Sequence, residues 1–314
     1  MRIAVFGAGG AGGYFGGRLA QAGEEVVFIA RGEHLKALRT HGLRVDSVKG
    51  DFLLQSVQVT DDPGQVGVVD VVLLGVKAWQ VTEVAQAMRP LIGPDTFVVP
   101  LQNGVEAAAQ LAAVLGAQHV LGGLAKIISF KVGLGHIRHA GAEPYVAFGG
   151  ELDNRLSERA ERLCQAFERA GVTVEIPPDI QSALWEKFLF IVSLGGVGAV
   201  TRAPIGVLRT VPEVRQMLEQ AMHEIFIVAL ARNIALPENV IDKTMAFVDR
   251  LPPDGTASLQ RDLVEGKPSE LASWNGAVVR LGQEVGVATP LHAFIYHSLL
   301  PLELRARGQV QFQL

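Results

Sequence analysis

The chain is poor in cysteine, in aromatic rings and in net charge, and each shortage narrows what it can be. Cys164 is the only cysteine, so no intrachain disulfide can form and a reducing compartment such as the cytoplasm is expected. Lys and Arg number 28 against 32 Asp and Glu, a net charge of −4. That balance argues against the broad cationic face that a nucleic-acid partner requires. Long apolar runs are missing too. The longest in the second half, Phe188 to Val200, falls short of the roughly 20 residues of a bilayer span. The opening apolar run is broken by glycine from Gly7 onward, unlike a secretory leader. A cytoplasmic protein with no membrane partner is expected.

What is plentiful is glycine, at 35 of 314 residues, and apolar side chains, at 49%. That length and composition suit two domains with sizeable cores. The glycines are concentrated at the start. Arg2 to Phe6 is a short apolar run, followed by Gly7-Ala8-Gly9-Gly10-Ala11-Gly12, then a helical stretch from Tyr14 to Ala22 closed by Gly23, then a second apolar run from Glu25 to Ile29. Strand, glycine turn, helix and strand make a βαβ unit with a dinucleotide fingerprint. Gly7 permits the tight turn, Gly9 lets a pyrophosphate reach the backbone, and Gly12 lets helix and sheet pack closely. With Gly10 and Ala11 at the helix N-terminus, where free N–H groups attract phosphate, these are the candidate cofactor-binding residues.

Arg31 stands nineteen residues beyond Gly12, where an NAD-binding unit usually places an acid for the ribose 2′-hydroxyl. A guanidinium there can clasp a 2′-phosphate, so NADP(H) is the expected cofactor; an exposed loop arginine is the alternative. Further strands are expected at Val68–Leu74, at Thr96–Leu101 and from Val120, alternating with helices near Glu33–Thr40, Val81–Leu91 and Val105–Leu115. This alternation predicts an α/β fold with a mostly parallel sheet. Leu43–Val45 and Val57–Val59 read as a small extended insertion. Ile137–His139 and Tyr145–Phe148 read as an antiparallel addition to the sheet edge. A helix over Leu156–Ala170 and a strand at Val172–Val174 precede Pro177-Pro178, where the domain boundary is expected: 1–177, then 178–314. Beyond it, helices are expected at Ile180–Val200, Val214–Arg232, Glu238–Val248, Ser269–Gly286 and Pro290–Arg307.

Ligands of open α/β sheets bind beyond the carboxyl ends of the strands, which singles out three loops. Lys77, in Gly75-Val76-Lys77-Ala78-Trp79-Gln80, can neutralise cofactor phosphate or be a solvated lysine at a helix start. Asn103, in Pro100-Leu101-Gln102-Asn103-Gly104, offers a donor and an acceptor to a nicotinamide amide or a substrate carbonyl; a left-handed turn residue before glycine is the alternative. Lys126 is a weaker candidate. In the helical half, Lys187 falls on the stripe formed by Leu184, Phe188, Ile191, Leu194 and Gly195, so it must snorkel outward or face a polar cavity. Glu270 reads as a first-turn acid of the Ser269–Gly286 helix.

Taken in order, GAGGAGGYFGGRLAQAGEEVVFIARG, VKAWQ, PLQNGVE, LWEKF and SLQRDLVEGKPSELASWNG resemble the ketopantoate reductase (2-dehydropantoate 2-reductase) family over nearly the whole chain. The resemblance implies a Rossmann-type domain followed by an all-α domain similar to the C-terminal domain of 6-phosphogluconate dehydrogenase. It implies NADPH-dependent reduction of 2-dehydropantoate to pantoate, in pantothenate biosynthesis. Matched by motif, Arg31 and Lys77 look like 2′-phosphate contacts, Asn103 lies near nicotinamide and substrate, Lys187 is the catalytic lysine, Glu270 the glutamate of the catalytic site, and Ser258 a substrate-binding serine. The family pattern has asparagines four and eight residues after the lysine, where this chain has Ile191 and Gly195. That departure makes the pocket more apolar and keeps open a different 2-oxo acid or related ketone. A non-enzymatic NADP(H) sensor is a further alternative, but it gives no reason for Lys187. The apolar helical half is compatible with a homodimer.

Overall fold

The computed structural model describes residues 1–141, 143–150 and 154–313, with the side chains of 154–157 outside the description. The chain divides into two compact units, Met1–Ile180 and Gln181–Leu314.

The first unit is built on a five-stranded sheet. Its strands are β1 (Arg2–Phe6), β2 (Glu25–Ile29), β5 (Gln58–Thr60), β6 (Val71–Leu74) and β7 (Phe97–Pro100), in the order β5-β2-β1-β6-β7. Every pairing in it is parallel. Side chains of a strand alternate between faces, and both faces are covered. Ile3 and Val5 of β1 join Phe28, Leu73, Val99 and the helical residues Phe15 and Leu19 in one core. Ala4 and Phe6 join Val27, Val72, Leu74, Val84 and Leu111 in the other. This two-sided burial is why β6 reads as an unbroken apolar run with all four residues buried. The covering helices are α1 (Gly10–Gln21), α2 (Gly32–His41), α3 (Val81–Ala87), α4 (Ala107–Leu115) and α5 (Asn154–Arg169). The expected helix from Leu156 is thus present as backbone, although the Leu156 side chain lies outside the described residues.

Two expectations about the remaining strands need correction. Leu43–Val45 and Val57–Val59 do not form one insertion: β5 is the edge of the parallel sheet, whereas β3 (Leu43–Ser47) belongs to a second sheet with β4 (Phe52–Leu54), β9 (Ser129–Gly133) and β10 (His136–His139), ordered β4-β3-β10-β9. Accordingly β10 is not an addition to the main sheet; it pairs parallel with β3 and antiparallel with β9. The other half of that expectation is met in part, because β11 (Tyr145–Gly149) pairs antiparallel with β8 (Gly122–Lys126). These two strands and β12 (Thr173–Glu175) form a three-stranded sheet, adjoining β7 through a Val98–Val120 bridge.

The second unit is helical: most of α6 (Ile180–Thr201), then α7 (Ile205–Thr210), α8 (Pro212–Ala231), α9 (Val240–Val248), α10 (Ser258–Val264), α11 (Asn275–Glu284) and α12 (Pro290–Ala306). By length and composition α6 could cross a membrane, but 67% of its most apolar stretch is buried inside the protein. It is a core helix, and its glycines show how it is packed. A β-carbon on Gly195 would lie 2.7 Å from the Trp274 ring, one on Gly196 2.4 Å from the Asn275 amide nitrogen, and one on Gly198 2.9 Å from Gln260 Oε1. Each glycine costs helix stability, about 1 kcal/mol relative to alanine, and here each lets a neighbouring element touch the α6 backbone.

Candidate functional site

In a parallel sheet all carboxyl ends share one edge, and that edge carries the first group of candidate residues. Gly7 leaves β1 with φ +98°, a conformation glycine tolerates, and its N–H donates to the Ile29 carbonyl at 3.0 Å. A β-carbon on Gly12 would stand 2.0 Å from the Gly7 carbonyl oxygen, and one on Gly10 2.6 Å from the Ser129 carbonyl oxygen. Gly9 differs, since a β-carbon there would meet nothing within 4 Å. The turn is therefore closed on its inner side and open at Gly9. Gly9 is also the N-cap of α1, with no side-chain cap and no acid in the first turn. The first-turn N–H groups are the kind that bind phosphate, so the residues present fit a dinucleotide pyrophosphate.

One residue holding this turn has no motif to reveal it. His34, near the start of α2, accepts the Gly135 N–H at Nδ1 (3.1 Å) and is 2.8 Å from the Ala8 carbonyl through Nε2. Because Nδ1 is the acceptor, Nε2 carries the proton and donates to Ala8. Burial pushes the His34 pKa below its ordinary value, Lys131 adds to that, and the Ala8 carbonyl opposes it.

Arg31 stands beyond β2 as the N-cap of α2. No acid directly precedes it in sequence, yet the structure supplies one from α3: Glu83 Oε1 lies 3.1 Å from Arg31 Nη1, with both side chains largely exposed. Lys77 follows β6 and heads a single turn of 3₁₀ helix, its N–H donating to Gln80 Oε1 at 3.2 Å. Its ammonium is 5.8 Å from the centre of the Trp79 ring. Asn103 follows β7 and is half-buried. The positive φ of that loop belongs to Gly104, at +114°, and not to Asn103, so the left-handed turn reading of Asn103 does not hold. Its neighbour Gln102 is buried, and its amide donates to the carbonyls of Leu74 at 3.0 Å and Val76 at 3.1 Å. Gln102 thereby ties the loop after β7 to the loop after β6. Lys126 ends β8 with its ammonium 4.6 Å from the centre of the Tyr145 ring, a packing role that explains it locally.

The second unit carries Lys187, Ser258 and Glu270. Lys187 is half-buried on α6, between buried Leu184 and Phe188, rather than fully enclosed. Ile191 one turn on is half-buried, and Gly195 is buried. The Trp274 ring and the Leu259 side chain both reach Gly195, the latter at 3.6 Å from where a β-carbon would stand. Packing on Gly195 thus brings the segments of Ser258 and Glu270 onto the helix that bears Lys187. Ser258 opens α10 and is half-buried.

Glu270 departs from expectation. The helix predicted over Ser269–Gly286 starts only at Asn275; Glu270 caps a 3₁₀ turn, Leu271–Ser273, and the chain breaks at Trp274 (φ −108°, ψ −93°). Glu270 is 7% exposed and sits in a turn, so it is not a first-turn acid of α11. The turn is held from outside. Glu303 of α12 accepts from the Ser269 N–H at 2.9 Å and 3.2 Å through its two oxygens, and from the Ser269 hydroxyl at 2.5 Å.

Comparison with known proteins places this geometry. The family model described as ketopantoate reductase PanE/ApbA matches residues 3–151, and the model of that family's C-terminal part matches residues 179–303. The chain belongs to the ketopantoate reductase PanE/ApbA family. It is 29% identical to the 2-dehydropantoate 2-reductase of Nostoc sp. across 98% of both chains. The PanE/ApbA family ketopantoate reductase of Ralstonia eutropha JMP134 superposes with a TM-score of 0.89 at 32% identity, covering 98% of this chain and 100% of that one. A D-mandelate dehydrogenase solved with NADH and anilino(oxo)acetate has the same fold, with a TM-score of 0.89 at 23% identity, covering 98% of this chain and 99% of that one. Ketopantoate reductases are oxidoreductases, and the parallel sheet followed by a helical unit is their architecture.

Proposed function

We propose that this chain is a cytoplasmic, NADPH-dependent reductase that converts 2-dehydropantoate to pantoate, a step of pantothenate biosynthesis. The observation that carries the cofactor part is the combination of the Gly7–Gly12 turn, open at Gly9, with a cation rather than an acid at Arg31. Residues 1–177 would hold the cofactor. Gly7, Gly9, Gly10, Ala11 and Gly12 receive the pyrophosphate, Arg31 and Lys77 the 2′-phosphate, and Asn103 the nicotinamide end. Residues 178–314 would supply the acid–base chemistry.

Bound NADPH supplies the hydride that the ketone carbon accepts. As the carbonyl becomes an alkoxide, its oxygen needs a positive charge and then a proton. The Lys187 ammonium provides both, as general acid. Glu270 accepts a hydrogen bond from the substrate's distal hydroxyl, while Asn103 and Ser258 orient the oxo acid. A panel of 2-oxo acids assayed with NADPH and with NADH tests the reading. Highest kcat/KM with 2-dehydropantoate and NADPH is expected, and failure to oxidise NADPH with any 2-oxo acid would overturn it.

One observation favours a second substrate. The face of α6 beyond Lys187 presents Ile191, and Gly195 is filled by the Trp274 ring, so no side-chain amide is offered at either position. A 2-oxo acid with an apolar side chain suits that surface; on this second reading, and against the first, the same panel ranks it above 2-dehydropantoate.

A further inference from the structure

Ser269, the residue before Glu270, is 1% exposed, and Glu303 is 3% exposed. Burying a carboxylate is costly unless its oxygens are well satisfied. Glu303 meets that condition through the Ser269 N–H and hydroxyl and through Arg307, whose Nε donates at 2.6 Å. Arg307 Nη2 also donates to the Ser269 carbonyl at 3.2 Å, so both backbone polar groups of Ser269 are taken by α12 and its C-cap. On the other side, the Leu271 N–H donates to Ser269 Oγ at 3.3 Å, and the Glu270 carbonyl accepts from the N–H groups of Ser273 and Trp274, each at 3.0 Å. An ionic clamp with a buried carboxylate therefore fixes the residue before Glu270, and the turn's own hydrogen bonds hold the residues after it, in a stretch that no regular helix supports.

We propose that Glu303 is a positioning residue: acting through Ser269, it fixes the turn that aims the Glu270 carboxylate at the distal hydroxyl of the substrate. The inference rests on the reading of Glu270 given above. An acid that must meet a hydroxyl within a few tenths of an ångström needs its own backbone fixed. A helix N-terminus would do this with regular hydrogen bonds; here the chain does it with a carboxylate and a guanidinium borrowed from α12 and the residue that caps it. Arg307 completes the clamp by holding Glu303 in one orientation.

The test uses the full-length protein with 2-dehydropantoate as varied substrate. Glu303→Gln replaces one accepting oxygen with a donor. It is expected to raise the KM for 2-dehydropantoate about tenfold, with kcat changed less than about threefold and the KM for NADPH unchanged. Ser269→Ala, which removes only the hydroxyl, is expected to give the same pattern at a smaller size and carries the test if Glu303→Gln does not fold. In a Glu270→Gln background, adding Glu303→Gln is expected to change KM less than about twofold, because the group being aimed is already gone. A tenfold rise that persists in that background, or equal losses toward both substrates, would overturn the proposal and leave Glu303 merely structural. If Glu270→Gln alone leaves KM and kcat unchanged, the reading of Glu270 fails first, and the proposal with it.

Discussion

Arg31 Nη1 and Glu83 Oε1 are 3.1 Å apart, an ion pair linking the residue after β2 to α3. It puts a carboxylate beside the cation proposed to receive a 2′-phosphate. The two side chains are 59% and 65% exposed, so solvent screening limits the pair to about 0.2–1 kcal/mol. Glu83→Gln should therefore tighten NADPH binding by up to about fivefold and leave NADH almost unchanged. Arg31→Ala should weaken NADPH at least tenfold. Titrations of both cofactors into each variant check this, and equal effects on NADPH and NADH would remove Arg31 from the phosphate site.

His34 holds the Ala8 carbonyl and the Gly135 N–H at once. His34→Ala should leave that carbonyl without its donor and loosen the turn around Gly9. The KM for NADPH should rise severalfold while kcat stays within about twofold. Steady-state kinetics with NADPH varied gives the answer.

Lys187→Ala should lower kcat by about 10²–10⁴, the usual range for loss of general acid–base catalysis. Since Lys187 is only half-buried, the variant should melt within a few degrees of the parent. Near-parental turnover would dismiss Lys187 as the acid.

Gly195→Asn would test how closely Trp274 packs on α6. Its β-carbon would lie 2.7 Å from the Trp274 ring, so overpacking should cost about 1–3 kcal/mol. Coupled with Trp274→Ala, the loss should shrink. Urea unfolding of the two single variants and the pair measures the coupling.

His292 is buried, its Nε2 donating to the Ala221 carbonyl at 3.0 Å and its Nδ1 accepting from Asn275 at 3.0 Å. Burial lowers its pKa from 6.5 to about 4, the Ala221 carbonyl partly opposing. Between those values the unfolded chain holds a proton that the native state excludes, so this contribution is lost as pH falls from 6.5 toward 4. Its full size is on the order of 3 kcal/mol. Glu224, whose oxygens accept the N–H groups of Leu291 and His292, has its pKa raised by burial; it loses stability as pH rises and offsets part of the slope. Unfolding free energies of the parent and His292→Gln from pH 4 to pH 7 should diverge by the His292 share.

How far the sequence could be read follows from the range of the forces involved. The Gly7–Gly12 turn and α6 were legible because their causes are local: a glycine spacing in one case, and in the other a periodic apolar run just after Pro177-Pro178. The strand at Ile137 was also legible, but its partner was not, since β3 lies some ninety positions earlier and nothing near Ile137 names it. The predicted helix over Ser269–Gly286 failed at its start because Glu303 and Arg307 capture the groups of Ser269, and no local pattern reports a contact 34 residues away. His34 and Glu83 carry no local sequence signal for the same reason: each acts on the glycine turn or on Arg31 from another element.

The inner side of the Gly7–Gly12 turn also limits how the protein can change. The Gly12 backbone meets the Gly7 carbonyl and Gly75 so closely that a β-carbon on Gly12 would lie 2.0 Å from that oxygen and one on Gly75 2.9 Å from the Gly12 α-carbon. Single substitutions at these positions find no room, so the turn can drift only as a block. A lineage, or a designer, seeking a different dinucleotide is left with the charged rim at Arg31 and Glu83, where exposed side chains can be exchanged one at a time.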